Sequence, residues 1–527
     1  MTHVWQAEID ELAHRKALAA QMGGAERVAR QKAAGKLTVR ERFDLFCDPG
    51  TFSEIGAVAG VGTYDDDGNL VGFTPSNMVA GVAEVDGRPV VVSGDDFTVR
   101  GGSAEATIPA KRDFAEQIAI ELGLPHIRLV DGMGGGGSVK SIEIKGRTLI
   151  PAINGWEKVV EHLGVAPSVA LALGSVAGIG AARVATSHYS VIVADTAQMM
   201  IAGPALVDQA SLGDVTKEEL GHARIHTSNG AIDDVAQSEE EAFVAARRFL
   251  SYLPSNVDEL PPRSTPTDDP NRRDDSLASV VPRDPRKVYK MRTIINSIVD
   301  RVGSDADASS FFEIGRGWGK SIITGFARLD GWPVAIFAED PYVYAGAWTA
   351  DASRKVTRFI DIASTFHLPL VHLEDCPGFL IGKQSEEAAT IRFGSAALAA
   401  LGQSTSPFCC MVIRKAFGVA GAANKVPGKT HFRFSWPSGD WGSLPIEGGL
   451  EVAYRQELAG MEGDALRDEI EKIRVRLNRF RSPFRLAEVF EMEDVIDPRD
   501  TRPVLTRWAD LVAPTRKPGP MAWTFRP

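Results

Sequence analysis

Cysteine is scarce in this chain of 527 residues: only Cys47, Cys376, Cys409 and Cys410 occur, and none forms a CxxC pair. That excludes a disulfide framework and a thiolate zinc ribbon, and it suits a reducing cytoplasm. The ten histidines are scattered, so no metal centre is expected, and no GxSxG nucleophile elbow is present. An excess of basic charge is also missing. With 58 Lys and Arg against 69 Asp and Glu the net charge is −11, which argues against nucleic acid as a partner. An anionic ligand would need a local basic patch set against that field. One uncharged run, Val165 to Ala182, is weighed as a membrane span. That stretch holds Pro167, Gly174, Gly178 and Gly180 and is Ala-rich, so it reads as a buried strand, a glycine turn and a helix start rather than a membrane span. The N-terminus mixes both charge signs and lacks an apolar core, so no secretory signal is expected there.

What is present is ordinary core material, 44% hydrophobic residues, and much glycine, 51 residues. The pattern repeats. Phe52-Ser53-Glu54-Ile55-Gly56 recurs as Phe311-Phe312-Glu313-Ile314-Gly315. The run from Gly81 to Val90, with its Asp86-Gly87 turn, recurs from Gly325 to Val334 at an offset of 244. Leu124-Pro125 leading to Asp131 recurs as Leu368-Pro369 leading to Asp375 at the same offset, and Ala177 to Ala182 recurs as Phe417 to Ala422 at 240. A period of that size is a domain duplication and not a solenoid. Each copy reads strand, Asp-Gly turn, strand, then helix, then an apolar strand, which predicts an α/β fold with a largely parallel inner sheet. Lys111 to Gly123 is expected as a helix with Phe114, Ile118 and Leu122 on its apolar face. Further helices are expected over Ala7 to Lys32 and over Gln456 to Phe480. Pro254 to Pro285 carries seven prolines and reads as an exposed connector. The domains expected are therefore 1–258 and 286–527, joined by a Pro-rich linker over 259–285.

The paired glycine turns are the leading candidates for chemistry. In each copy an apolar strand (Ser168 to Leu173; Cys409 to Ile413) leads into a turn and a small-residue helix. Amides at such a start are unpaired and point outward, and two of them aimed at one carbonyl oxygen form an oxyanion hole. Backbone donors suffice, so bulky Ile179 and Val419 qualify. The run Asp131-Gly132-Met133-Gly134-Gly135-Gly136-Gly137-Ser138 does not open a helix, which rejects a nucleotide fingerprint and leaves a lid or a wide loop. Asp95 to Ser103 precedes a helix bearing Lys111 and Arg112; Arg100, Lys111 and the N-terminal amides of that helix are candidates for a phosphate, or the basic residues are simply solvated surface.

These residues resemble the carboxyltransferase (β) subunits of biotin-dependent acyl-CoA carboxylases, the propionyl-CoA carboxylase and methylmalonyl-CoA transcarboxylase group. The matching stretches include GKLTVRERFDLFCDPGTFSEIG (Gly35 to Gly56), DFTVRGGS (Asp96 to Ser103), DVTKEELGHARIHTSNGAID (Asp214 to Asp233), DCPGFLIG (Asp375 to Gly382), RKAFGVAGA (Arg414 to Ala422) and SPFRLAEVFEMEDVIDPRDTR (Ser482 to Arg502). The resemblance implies two crotonase-like ββα-superhelix domains and a hexamer of two stacked trimers, with sites shared between subunits. It implies an acyl-CoA thioester as substrate, no metal, and biotin carried on a separate α subunit that also holds the biotin carboxylase. By that resemblance Gly178 and Ile179 would hold the thioester oxygen, and Gly418, Val419 and Ala420 the biotin ureido oxygen. Arg100, Gly101, Gly102 and Lys111, with Gly134 and Gly135, would lie along the acyl-CoA. Biotin would act as base, so no catalytic His or Glu is expected.

The chain also departs from the family. Where many members read Tyr-Gly-Gly-Ala-Tyr-Asp, this chain reads Phe417-Gly418-Val419-Ala420-Gly421-Ala422. Gly421 and Ala422 are then the expected specificity positions. Their small size predicts a substrate other than propionyl-CoA, larger or aromatic. Two other readings compete. One is a biotin-independent crotonase-type lyase, decarboxylase or thioesterase using Glu386, Glu387 or Asp440; the other is a non-catalytic acyl-CoA-binding scaffold.

Overall fold

The computed structural model describes residues 4–103, 108–132, 142–143, 146–148, 150, 155–266, 268–303, 308–426, 431–522 and 525–526. It divides into two compact units, Met1–Glu259 with Gly519–Phe525, and Leu260–Pro518. The first unit contains β1 (Ser53–Glu54), β2 (Gly60–Tyr64), β3 (Leu70–Pro75), β4 (Met78–Val85), β5 (Arg88–Asp95), β6 (His126–Val130), β7 (Ser168–Ala172), β8 (Ser175–Ala177), β9 (Tyr189–Val193), β10 (Gln198–Met200) and β11 (Asp234–Ala236). Seven of them form one sheet in the order β1-β4-β5-β6-β7-β9-β11. The second unit contains β12 (Phe312–Glu313), β13 (Ile322–Leu329), β14 (Trp332–Glu339), β15 (Leu370–Cys376), β16 (Phe408–Phe417), β17 (Phe432–Ser435), β18 (Asp440–Gly442) and β19 (Asp494–Val495). Its sheet runs β12-β13-β14-β15-β16-β17-β19, with β18 beside β16.

The duplication holds to the residue. Val91 pairs with His126 and Ala335 with Leu370, both pairs 244 apart; Val169 beside Ile127 matches Cys409 beside Val371. In each unit the short first strand crosses a glycine. A Cβ on Gly81 would lie 2.2 Å from the Ser53 carbonyl oxygen, and one on Gly325 would lie 2.4 Å from that of Phe312. The central parallel strands are buried on both faces, as helix-covered parallel strands must be.

Three expectations change. The helix Pro109–Glu121 forms, but Phe114 and Leu122 are 50% and 60% exposed, while Lys111, Ala115, Glu116 and Ala119 face inward. Charged partners inside the unit outweigh the apolar stripe. The N-terminal helix is two helices, Gln6–Ala20 and Ala25–Ala33, because Gly23 lies against Thr98 with no room for a Cβ and Gly24 takes φ +91°. Residues 260–285, expected as an exposed connector, fold with the second unit. Arg272 donates to the carbonyls of Ser297 and Val299, and Leu277 joins the main core. All four cysteines are free and buried. Among the described residues no helix is long and apolar enough to cross a membrane.

Candidate active site

Both glycine turns have one design. β8 ends at Gly178, φ +57°, and the helix Ile179–Ala185 begins; β16 ends at Gly418, φ +64°, and a short turn Ala420–Ala422 follows. The glycine amides are not the free donors. Gly178 N–H donates to Met200 O at 3.2 Å, and Gly418 N–H donates to Gly442 O at 3.1 Å. Each glycine supplies the left-handed corner, which a side chain would strain. The outward amides are one step on. Ile179 and Gly180 sit at the first helical positions, where no preceding carbonyl reaches them; Val419 and Ala420 stand likewise ahead of the first turn bonds, Ala422 N–H to Val419 O and Ala423 N–H to Ala420 O. Ile179 is half-buried and Val419 is 58% exposed.

A second duplicated device lies beside each turn. Arg100, Gly101 and Gly102 take φ values of +52°, +65° and +64°; Tyr344, Ala345 and Gly346 take +50°, +55° and +87°. Left-handed backbone at non-glycine residues is disfavoured by about 1–2 kcal/mol per residue, and such strain clusters at working sites. Gly102 is required by packing, since its Cβ would lie 2.6 Å from Gly132 Cα; a Cβ on Gly346 would lie 2.6 Å from Asp375 O.

Lys111 is not where a phosphate ligand is needed. Its buried Nζ donates to Gly56 O at 3.1 Å and lies 3.5 Å from Glu54. Lys355, 244 residues on, does the same for Trp318 O and Ile322 O. Both are internal props from helix to strand turn. Burial lowers the Lys111 pKa, with Glu54 opposing. Arg100, by contrast, is exposed and lines a cavity of about 480 Å³ with Arg27, Arg30, Lys36, Phe97 and Lys217. Asp195 and Glu218 line it too, so cations outnumber acids along its wall. Gly101 lines it as well. Gly134 and Gly135 lie outside the described residues.

Beneath the first turn, Ile179 and Gly180 line a small pocket of about 50 Å³ with Asp95, Arg112, Arg128 and Arg183. Sequence reasoning passed over Arg128 and Arg183, and no spacing signal marks them. Glu116 pairs with Arg128 at 2.9 Å and with His126 at 3.1 Å, and lies 3.7 Å from Arg183. The guanidinium and imidazole neighbours hold the Glu116 carboxyl well below its usual range in spite of burial. Burial pushes Asp95 up to about 6.

Beneath the second turn, His372 Nδ1–H donates to Ala423 O at 3.1 Å while Nε2 meets Glu339 at 3.0 Å. Trp348 Nε1–H and the Asp375 amide complete the Glu339 carboxylate. His372, Glu374 and Cys410 come together here, all buried. Both imidazole nitrogens are already committed, and burial keeps the Glu374 carboxyl well above its usual range. A cavity of about 720 Å³ opens nearby, lined by Lys415, Phe417, Trp436, Asp440 and Arg481. His222 and His226 sit four residues apart, but His222 caps its helix by accepting from Arg224 N–H at 3.1 Å, and no acid joins them among the described residues.

Gly421 is buried, and a Cβ there would lie 2.7 Å from the Ala416 carbonyl carbon. Its smallness serves backbone packing rather than pocket volume; Ala422 is exposed. Of the residues weighed for a biotin-independent reaction, Glu386 and Glu387 are exposed on the helix Lys383–Glu387, and Asp440 is taken by Arg481.

A model of the carboxyl transferase domain family matches residues 30–524. The chain is 34% identical over 522 residues to the propionyl-CoA carboxylase carboxyltransferase subunit of Haloferax mediterranei, covering 97% of each. It is 32% identical to the methylmalonyl-CoA carboxyltransferase 12S subunit of Propionibacterium freudenreichii subsp. shermanii, covering 98% of this chain and 96% of that one. The crystal structure of a transcarboxylase 12S hexamer, with methylmalonyl-coenzyme A and methylmalonic acid bound, superposes with a TM-score of 0.85 at 30% identity over the full length of both chains. The duplicated α/β units, their paired turns and these likenesses agree: the chain belongs to the carboxyl transferase family and is a carboxyltransferase of the biotin-dependent acyl-CoA carboxylase type.

Proposed function

We propose that this chain transfers the carboxyl group of carboxybiotin to the α-carbon of an acyl-CoA. The observation that carries this reading is the repeated turn, in which a left-handed glycine frees two amides in each unit. On the first unit, the Ile179 and Gly180 amides would take the thioester oxygen as it gains charge in the enolate. Preorganised amides stabilise such charge without reorganising at the moment of reaction. The basic cavity around Arg27, Arg30, Lys36 and Arg100 would hold the phosphates of coenzyme A, and the props Lys111 and Lys355 would keep the two sheet edges in place.

On the second unit, the Val419 and Ala420 amides would face the biotin ureido oxygen. The fit is chemical: two backbone donors, one residue well exposed and the other small, leave room for a planar ring. Biotin, when bound, supplies both the carboxyl group and the base. The chain has no Met-Lys-Met biotinylation signal, so the cofactor would come on a separate α subunit, with this chain in a hexamer of stacked trimers and a cytoplasmic setting. The test is reconstitution with a biotin carboxylase and biotin carrier subunit. ATP-dependent fixation of labelled bicarbonate into an acyl-CoA, abolished by avidin, is the expected result. Turnover of a thioester that avidin leaves untouched would overturn the reading.

A further inference from the structure

The pocket under Ile179 and Gly180 has a charge composition that the fold does not require. Three guanidiniums, Arg112, Arg128 and Arg183, meet two carboxylates, Glu116 and Asp95. Glu116 is shared between Arg128, His126 and, at the longer distance of 3.7 Å, Arg183. The nearby carboxylate of Asp131 is spent on Lys36 and Arg42, each at 2.9 Å. Arg183 is 9% exposed, and among the described residues its Nε has no hydrogen-bond partner; the buried Arg112 Nε has none there either. A buried, incompletely paired cation is costly to keep. The duplication separates this charge into two parts: Arg128 and Asp95 match the buried His372 and Glu339, 244 residues on, whereas the rest has no polar counterpart. At the matching positions of the second unit stand Val356, Ile360 and Ala423 in place of Arg112, Glu116 and Arg183, each 1% exposed and all apolar.

We propose that this pocket receives a carboxylate carried on the acyl group of the thioester, so that the enzyme's substrate is a short dicarboxylic acyl-CoA rather than an aliphatic one. The inference rests on the carboxyltransferase reading. The pocket wall includes Ile179 and Gly180, the residues whose amides face the thioester oxygen, so an acyl chain held there ends beside Arg183 and Arg112. Guanidiniums match a carboxylate in planar, charge-assisted pairs, and a ligand anion would supply a partner that the described residues do not. Burial, helped by the neighbouring Arg112 and Arg128 guanidiniums, lowers the Arg183 guanidinium to about 10, with Glu116 and Asp95 only partly offsetting it. The small size of the pocket suits a terminal carboxylate and excludes an aromatic ring.

The test is calorimetric binding to the full-length protein of succinyl-CoA against butyryl-CoA, and glutaryl-CoA against valeryl-CoA. The acidic thioester is expected to bind at least about tenfold more tightly, the ratio that one charge-assisted contact gives. Arg183→Met and, separately, Arg112→Met are expected to erase that preference while free coenzyme A binds as before; Arg183→Lys is expected to retain part of it. Equal binding of acidic and neutral thioesters overturns the proposal and leaves the carboxyltransferase reading standing. A preference for methylmalonyl-CoA over propionyl-CoA without one for glutaryl-CoA over valeryl-CoA assigns the pocket to the transferred carboxyl group and also overturns it. Failure of every thioester to bind removes both.

Discussion

The two units share register, turns and props, yet they treat the acid at the end of the second hairpin strand in opposite ways. Glu339 in the second unit is closed off by His372, Trp348 and the Asp375 amide, a buried network in which every carboxylate oxygen is answered. Asp95, its counterpart, accepts from the Asp131 amide at 3.2 Å and otherwise borders a pocket with excess positive charge. One half has spent its buried charge on holding a turn, since His372 also fixes Ala423 at the foot of the second glycine turn. The other keeps charge in reserve for a ligand. A duplicated scaffold teaches which charges the fold needs, because those present in only one copy cannot be needed by both.

Substitutions sharpen this contrast. The largest effect is expected for His372→Ala, which strands the Glu339 carboxylate in the core. Breaking a buried pair in this way removes about 3–5 kcal/mol, to be read as a lowered thermal midpoint of the second unit. A loss under about 1 kcal/mol would show that Trp348 and Asp375 suffice. Gly421→Tyr comes next. It restores the residue common in related sequences but drives a Cβ into the Ala416 backbone, so overpacking of about 1–3 kcal/mol is expected in a denaturation series. Retained stability with altered acyl preference would instead return position 421 to the pocket wall.

Arg183→Met in the first unit is expected to change stability by less than about 1 kcal/mol, or to raise it, because an incompletely paired buried charge is exchanged for apolar volume. A loss comparable to that of His372→Ala would mean that the two networks are equally structural. The smallest effect concerns pH. The folded pKa of Asp95 is raised to about 6, mainly by burial, so the folded state binds its proton more readily than the unfolded chain does. Its contribution therefore becomes more favourable as pH falls from 7 toward 4, and Asp95→Asn should remove that rise from the pH–stability curve. Glu339 is held low, chiefly by His372 acting against burial, so its contribution is present at neutral pH and is lost as pH falls through its folded pKa, below the ordinary carboxylate value. Parallel acid responses of Asp95→Asn and Glu339→Gln would break the comparison.

Much of this was legible beforehand for definite reasons. The hairpins, the Leu-Pro entries to β6 and β15 and the two glycine turns are local, and their repetition multiplied weak signals. The turn glycines were found, but which amide each leaves free was not. That depended on the Met200 and Gly442 carbonyls, strand neighbours remote in sequence. Lys111 looked like a phosphate ligand because position alone cannot show which way a side chain turns. The helix Pro109–Glu121 was placed correctly and faced wrongly, since its inner partners Arg128 and His126 belong to another strand.

By itself, then, the order of residues determined the duplication, the α/β alternation and the two corners where glycine alone fits comfortably, because these follow from short-range sterics and from periodicity along the chain. Only the tertiary structure decided which amides point outward, which lysines are props, and where three arginines converge on a pocket. Those outcomes depend on strands brought side by side from distant parts of the chain, where burial makes an unmatched charge matter.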